Sequence, residues 1–320
     1  MPLIAVFGAT GAQGGSVVDQ LSKDPRWVIR GITRDANSEK ARLLVSKGVQ
    51  VANADMNDES SLVKALQGAE AIFAVTAITW ESITQLGVEG TGEQEMNQLI
   101  NVARVAAESP DLKHFIISTL PRSYEISNGR HKLPHFDYKQ KAIDWIRVNT
   151  PGLWAKSTEF WAGWYVSNLH TMPLMQFRRL PMSEAHVLML PASSSVVLPI
   201  AGDLQTNCGI IVDGILTAGS KAFDKIAICI TDYCLLRDVV ACFEQVTGKP
   251  AVFVEVCESS WQKLWGLSGL GFAAQLQFSK SHSNWHHFET DRVITLDDLG
   301  VREKLVDFRQ ALAAAKEKIL

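Results

Sequence analysis

The chain has 320 residues, 47% of them hydrophobic and 20% charged, with a formal net charge of −3. This length and apolar content suit one large domain or two intertwined ones and exclude wholesale disorder. The weak charge leaves no electrostatic footprint for nucleic acid or an anionic membrane, and no stretch nears the ~18 apolar residues of a membrane span.

Five cysteines (208, 229, 234, 242 and 257) are scattered singly, without redox or metal spacing. They read as reduced thiols of a cytoplasmic protein. The start "MPLIAVFGAT" has no basic leader segment, so no secretory signal is expected. No metal set is expected either, because His286 and His287 are adjacent and lack supporting carboxylates.

In chain order, "LIAVFG" (3–8) is a short apolar run expected of a strand buried on both faces. A helix (14–24), a strand (27–34), a helix (38–48), a strand (49–55), a helix (58–68) and a strand (71–77) follow. A long amphipathic helix is expected over 91–109, a strand over 113–120, a helix over 137–149 and a sixth strand over 153–158. This alternation argues for a doubly wound parallel sheet, an α/β Rossmann architecture. The rhythm then breaks, and 172–191 carries three prolines and no clean period. Later come a helix (203–219), strands (225–231 and 251–256) around a helix (235–248), an apolar segment (259–278) and a final helix (302–320). The expected division is a nucleotide-binding domain over 1–157 and a smaller α+β, mainly substrate-binding part over 158–320, with the helix 203–219 free to return to the sheet.

Glycines 8, 11 and 14 sit where the first strand turns into the first helix. Such a turn bares helix N–H groups and the positive end of the helix dipole to a pyrophosphate. The spacing G-x-x-G-x-x-G differs from the commonest dinucleotide fingerprint, and a ligand-free glycine turn is the alternative. Ala12 and Gln13 lie inside the turn. The second strand ends at Arg34, where an acidic residue would bind the ribose of NAD. An arginine there suits the 2′-phosphate of NADP, with Lys40 as a second cation; ordinary surface cations are the alternative. Asp55, followed by Met56, is placed at the adenine edge, and Thr76 and Ala77 along the cofactor.

No tyrosine is followed by lysine four residues on, so the usual carbonyl-reducing Tyr-x-x-x-Lys pair is missing. Lys139 precedes Ala142 and Ile143 by three and four positions, near the apolar face of its helix, while Lys141 is displaced from it. Lys139 is thus a candidate for catalysis or ribose binding, against an ordinary solvated lysine. His135 and Tyr124, in the loop before and around it, are the other catalytic candidates. Ser118 and Thr119 end the fifth strand, where a hydroxyl could face cofactor and substrate respectively; plain strand-end hydrogen bonding is the alternative. Nine tryptophans are present. Trp161, Trp164, Tyr165, Trp261 and Trp265 could wall a broad apolar pocket or simply fill a core.

The segments "GATGAQGGSV", "GITRD", "EKARLLVSKGVQVANADMNDESSLVKALQGAEAIFAVT", "KHFIISTL" and "HFDYKQKAIDWI" together resemble the NmrA-like family, an atypical branch of the short-chain dehydrogenase/reductases. The resemblance covers about the first half of the chain and weakens after "STEFWAGWYVSN". It implies an NADP(H)-preferring fold with phosphate contacts from Thr10, Gly11, Gln13 and Gly14. It also implies a 2′-phosphate contact from Arg34, a nicotinamide-side lysine at Lys139, and Thr158 and Phe160 beside the nicotinamide. Some members of that family reduce quinones, double bonds or imines; others sense NADP(H) as regulators. The expected activity is NADPH-dependent reduction of a bulky apolar small molecule by a monomer or homodimer. A turnover-free NADP(H) sensor and a non-redox isomerase or cyclase that keeps the cofactor are the rivals.

Overall fold

The computed structural model describes residues 1–320, the side chain of Trp80 excepted. The first half builds β1 (Leu3–Phe7), α1 (Ala12–Leu21), β2 (Val28–Thr33), α2 (Glu39–Ser46), β3 (Gln50–Asn53), α3 (Glu59–Leu66), β4 (Ala71–Ala74), α4 (Trp80–Ala107) and β5 (His114–Thr119). After the one-turn α5 (Ser123–Ile126) come α6 (Pro134–Asn149), the one-turn α7 (Pro151–Trp154) and β6 (Ser157–Ala162). The second half adds α8 (Asn168–Thr171), β7 (Arg178–Arg179), β8 (His186–Leu190), β9 (Val197–Ile200), α9 (Leu204–Ala218), β10 (Lys225–Cys229) and β11 (Asp232–Leu235). It closes with α10 (Leu236–Thr247), β12 (Ala251–Glu255), α11 (Glu258–Ser281), β13 (Val293–Ile294), α12 (Phe308–Ala314) and α13 (Lys316–Ile319).

Eight strands form one parallel sheet in the order β13-β10-β6-β5-β4-β1-β2-β3. β1 pairs with β2 on one side and β4 on the other, so the winding reverses there. A crevice opens at the carboxyl ends of strands at such a reversal. One face of the sheet packs on α1 and α9 through Val17, Val18, Leu21, Ile211 and Ile215. The other packs on α3, α4 and α6 through Leu62, Leu99, Val102, Ile143 and Ile146. α9 lies so close to α1 that Gly209 N–H donates to Ser16 Oγ at 2.8 Å across 193 residues of chain. Over the carboxyl edge sits a second core of Trp164, Phe177, Leu190, Phe243, Trp261 and Leu276, carried by the small sheet β12-β8-β7 and its neighbouring helices.

Several elements depart from the expectation. The sixth strand does not begin at 153. Pro151 opens the helical turn α7, a position its fixed φ suits, and Leu153 packs with the α6 side rather than in the sheet. Residues 157–162 form the strand instead. α4 begins at Trp80 rather than 91, capped by Thr79 and kinked at Gly87. The final helix is not continuous over 302–320. Asp307 and Gln310 form a capping box that starts α12 afresh, because an aspartate favours a cap over a helix interior. The stretch 172–191 holds β7 and β8, and β12 pairs with β8 rather than with the main sheet. No helix among the described residues is long and apolar enough to cross a membrane.

Candidate active site

The crevice at the winding reversal deepens into a cavity of about 540 Å³. Its floor is the glycine turn. Gly8 has φ +62°, and its carbonyl accepts from Gly11 N–H at 2.8 Å. A Cβ on Gly14 would lie 2.4 Å from the carbonyl oxygens of Phe7 and Gly8, so only glycine lets α1 start this close to β1. Helices α2, α3 and α4 are capped by Ser38, Asp58 and Thr79, whereas α1 has Gly11 at its N-cap and no capping side chain. Its first N–H groups therefore keep their donors for something else. Gly8, Gly11, Ala12, Gln13 and Gly14 all line the cavity. Gln13 Oε1 is buried there without a partner. An uncapped N-terminus beside a turn that any Cβ would fill matches the shape and polarity of a dinucleotide pyrophosphate.

Across the floor, three side chains meet. Lys139 Nζ donates to Glu95 Oε1 at 2.5 Å and also contacts Thr76 Oγ1, which itself donates to Glu95 Oε1 at 2.5 Å. Lys139 is 7% exposed and Glu95 2%, while Lys141 is exposed. Lys139 thus occupies the buried face of α6, and its third N–H meets no acceptor among the described residues. His135, one turn earlier, shares a 3.2 Å hydrogen bond with Gln275 of α11. Burial holds the pKa of His135 below the ordinary histidine value, so the ring is neutral at physiological pH.

Ser118 and Thr119 end β5 at the cavity, with different freedom. Thr119 donates its only proton to Glu159 Oε2 at 2.8 Å and accepts from Trp161 Nε1 at 3.0 Å. It has no proton left for a ligand. Ser118 makes no side-chain hydrogen bond among the described residues, so its hydroxyl is the available one. Burial opposes ionisation of Glu159, but Arg292 at 2.8 Å and donors from Gln140 and Thr119 offset this, and its pKa falls below the ordinary carboxylate value. That buried network makes Thr119 part of the frame. Tyr165 Oη accepts from Gln13 Nε2 at 2.9 Å, and burial pushes its pKa up to about 12, which keeps it a neutral donor.

The cavity gathers Gly8, Gly11, Ala12, Gln13, Gly14, Thr76, Ala77, Ser118, Thr119, His135, Lys139, Trp164 and Tyr165 from the sequence-derived set. Arg34 and Lys40 are exposed beyond β2 and in the first turn of α2, and Asp55 and Met56 follow β3; with Thr10 they lie outside the cavity wall. Thr158 and Phe160 are not beside it. The strand begins four residues later than expected, so Thr158 is buried at its amino end, bonding His114 and the Ala222 carbonyl, and Phe160 fills the sheet core. Trp161 packs with Ile226, Ile228 and Phe278, and Trp261 is sealed in the second core, donating to Gly269 O at 2.9 Å. Trp265 lies under Arg178 rather than on the wall. Tyr124 is 53% exposed on α5 and does not reach the cavity. Glu95 escaped the sequence reading, although it falls one turn before Leu99, in register with the buried stripe of α4. Gln275 of α11 escaped it too, whereas Phe272 lies in the apolar segment 259–278 and does reach the wall.

An open parallel sheet with a glycine turn at its reversal and a second layer over its carboxyl edge defines a nucleotide-binding α/β protein. The NmrA-like family model matches residues 2–305, and the chain belongs to that family. The NmrA-like family domain-containing oxidoreductase cpsB of Aspergillus campestris is 26% identical over 277 residues, covering 84% of this chain and 78% of its own. Among solved structures, NmrA, a negative transcriptional regulator in complex with NADP, superposes with a TM-score of 0.76 at 17% identity, over 99% of this chain and 95% of its own. The Citrobacter sp. triphenylmethane reductase complexed with NADP(H) superposes with a TM-score of 0.68 at 18% identity, over 98% of this chain and 100% of its own.

Proposed function

We propose that the protein is an NADPH-dependent reductase of a bulky, apolar small molecule bearing a C=N, C=C or quinone-like acceptor. The buried Lys139–Glu95 pair, set in the same apolar cavity as the open N-terminus of α1, carries this reading. The likeness to a relative named an oxidoreductase and to an NADP(H)-bound reductase supports it.

In this reading the N–H groups of α1 and the glycine turn hold the pyrophosphate, and Arg34 meets the 2′-phosphate. Bound NADPH supplies the hydride. Trp164, Phe272 and Leu174 exclude water and fit a flat apolar ligand against the floor. The free N–H of Lys139 and the Ser118 hydroxyl face charge that develops on the acceptor as it gains two electrons, and the neutral Tyr165 hydroxyl on the wall supplies the balancing proton. A dry site strengthens these contacts.

The missing Tyr-x-x-x-Lys pair and the likeness to a regulator in complex with NADP favour a second reading, an NADP(H) sensor without turnover. One assay separates them: purified protein and NADPH followed at 340 nm with bulky imines, enones and quinones, alongside Arg34→Asp. Loss of NADPH with native protein, and a shifted preference from NADPH to NADH in the variant, is the expected outcome. NADPH binding without oxidation by any acceptor sinks the reductase reading, and product formed without NADPH loss points to an isomerase or cyclase.

A further inference from the structure

The cavity wall carries one buried anion and one buried cation, and each is the other's counter-charge. Glu95 Oε1 binds Lys139 Nζ and Thr76 Oγ1, while Glu95 Oε2 is shut from solvent and has no partner. The remaining titratable groups on the wall are His135 and Tyr165, and burial keeps both neutral. The side chains of the wall therefore sum to zero charge, although they include a full carboxylate and a full ammonium, and the positive end of α1 at the floor is left to the cofactor's pyrophosphate.

This balance has a consequence for what can enter. An anion drawn to Lys139 would compete with Glu95 and leave a carboxylate buried with its only cation shared. A cation drawn to Glu95 would do the reverse. Either outcome puts an uncompensated charge in a low-dielectric site, where breaking a buried pair is strongly unfavourable. An uncharged molecule with a carbonyl or imine lone pair can accept the free Lys139 N–H and leave the pair intact.

We infer that the Lys139–Glu95 pair is a charge filter that admits uncharged acceptors and rejects both anionic and cationic ones, with Glu95 as the positioning residue that sets this selectivity. The inference rests on the reductase reading only in calling the ligand an acceptor; the charge rule concerns binding. It also makes opposite predictions for the two partners. Glu95→Gln leaves an unpaired cation and should favour anions. Lys139→Met leaves an unpaired anion and should favour cations. A merely structural role for either residue would move all ligands together.

The test uses one ring system with three charges: anthraquinones carrying a hydroxymethyl, a sulfonate or a trimethylammoniomethyl group at C2. Binding to the full chain is measured by equilibrium dialysis with NADPH present, so that the anion-binding floor at α1 is filled, and folding of each variant is checked by circular dichroism. The native protein should prefer the uncharged ring by about tenfold or more over either ion. Glu95→Gln should gain on the sulfonate, Lys139→Met on the ammonium, and the double variant should return to preferring the uncharged ring. Single variants that shift both ions in the same direction overturn the inference. So does a native protein that binds an ion as tightly as the uncharged ring, or binds none of the three, and that arm needs no variant. Binding that obeys the charge rule without NADPH oxidation would leave the filter standing and count against the reductase reading. Turnover with charge-blind binding would do the opposite.

Discussion

Gly8, Gly11 and Gly14 make the floor of the cavity from a single strand-to-helix turn, and each residue's task is set by its immediate neighbours. The far wall gathers Glu95 from α4, Lys139 from α6, Trp164 from the segment after β6 and Phe272 from α11. Their meeting depends on the whole chain being folded. The floor is local, and its close backbone contacts leave little room for substitution. The wall is assembled and long-range, so it can change its guest without disturbing the turn beneath. In the proposed reductase this difference separates the grip on the cofactor from the choice of substrate.

The largest test of that contrast is Gly14→Val. Its side chain would meet backbone oxygens that cannot move aside, so it should cost at least ~3 kcal/mol in urea unfolding and abolish NADPH binding. Near-native stability with retained binding would show that the floor is not the constrained side. Phe272→Ala should cost about 2 kcal/mol, since the ring packs with Trp164 and Trp261 yet borders the cavity. NADPH affinity should persist while binding of a polycyclic ligand weakens; equal loss of both would merge the two sides into one unit. The smallest effect concerns pH. Burial depresses the pKa of His135, which touches Gln275 and feels Glu95 and Lys139. Its contribution to stability is therefore fully present above the unfolded value near 6.5 and is lost as pH falls through the lower folded value. His135→Gln should flatten that part of the acid limb in thermal melts, and an unaltered limb would remove His135 from the account.

The sequence was most readable where structure is local. The apolar runs of β1 to β5, the glycine turn and the burial of Lys139 all follow from spacing within a few residues. The start of β6 was obscured because Pro151, Leu153 and Trp154 form an apolar stretch whose helical turn is fixed by packing beside α6. Strand β8 was hidden because it lies, with β7, in the proline-interrupted stretch 172–191, and its parallel partner β12 comes far along the chain. Glu95 shows the same limit at the site. Its register placed it on the buried face of α4, but the lysine that justifies a carboxylate there lies 44 residues away. Of the tryptophans taken for a pocket wall, only Trp164 reaches the cavity, because composition gives the number of rings and not the direction they face.

The contact between Gly209 and Ser16 bears on how the molecule is made. α1 is synthesised before α9, yet its side bearing Ser16 and Gln20 is covered by α9, whose Gly209 and Asp213 meet them from 193 residues further along the chain. Until then the nascent N-terminal half holds an unfinished layer, with an apolar surface waiting for a partner not yet synthesised. Low-order contacts can form the early strands, but the cofactor turn gains its final support only late. A chain released after β6 would therefore carry every glycine of the nucleotide turn and still lack the helix that holds α1 in place.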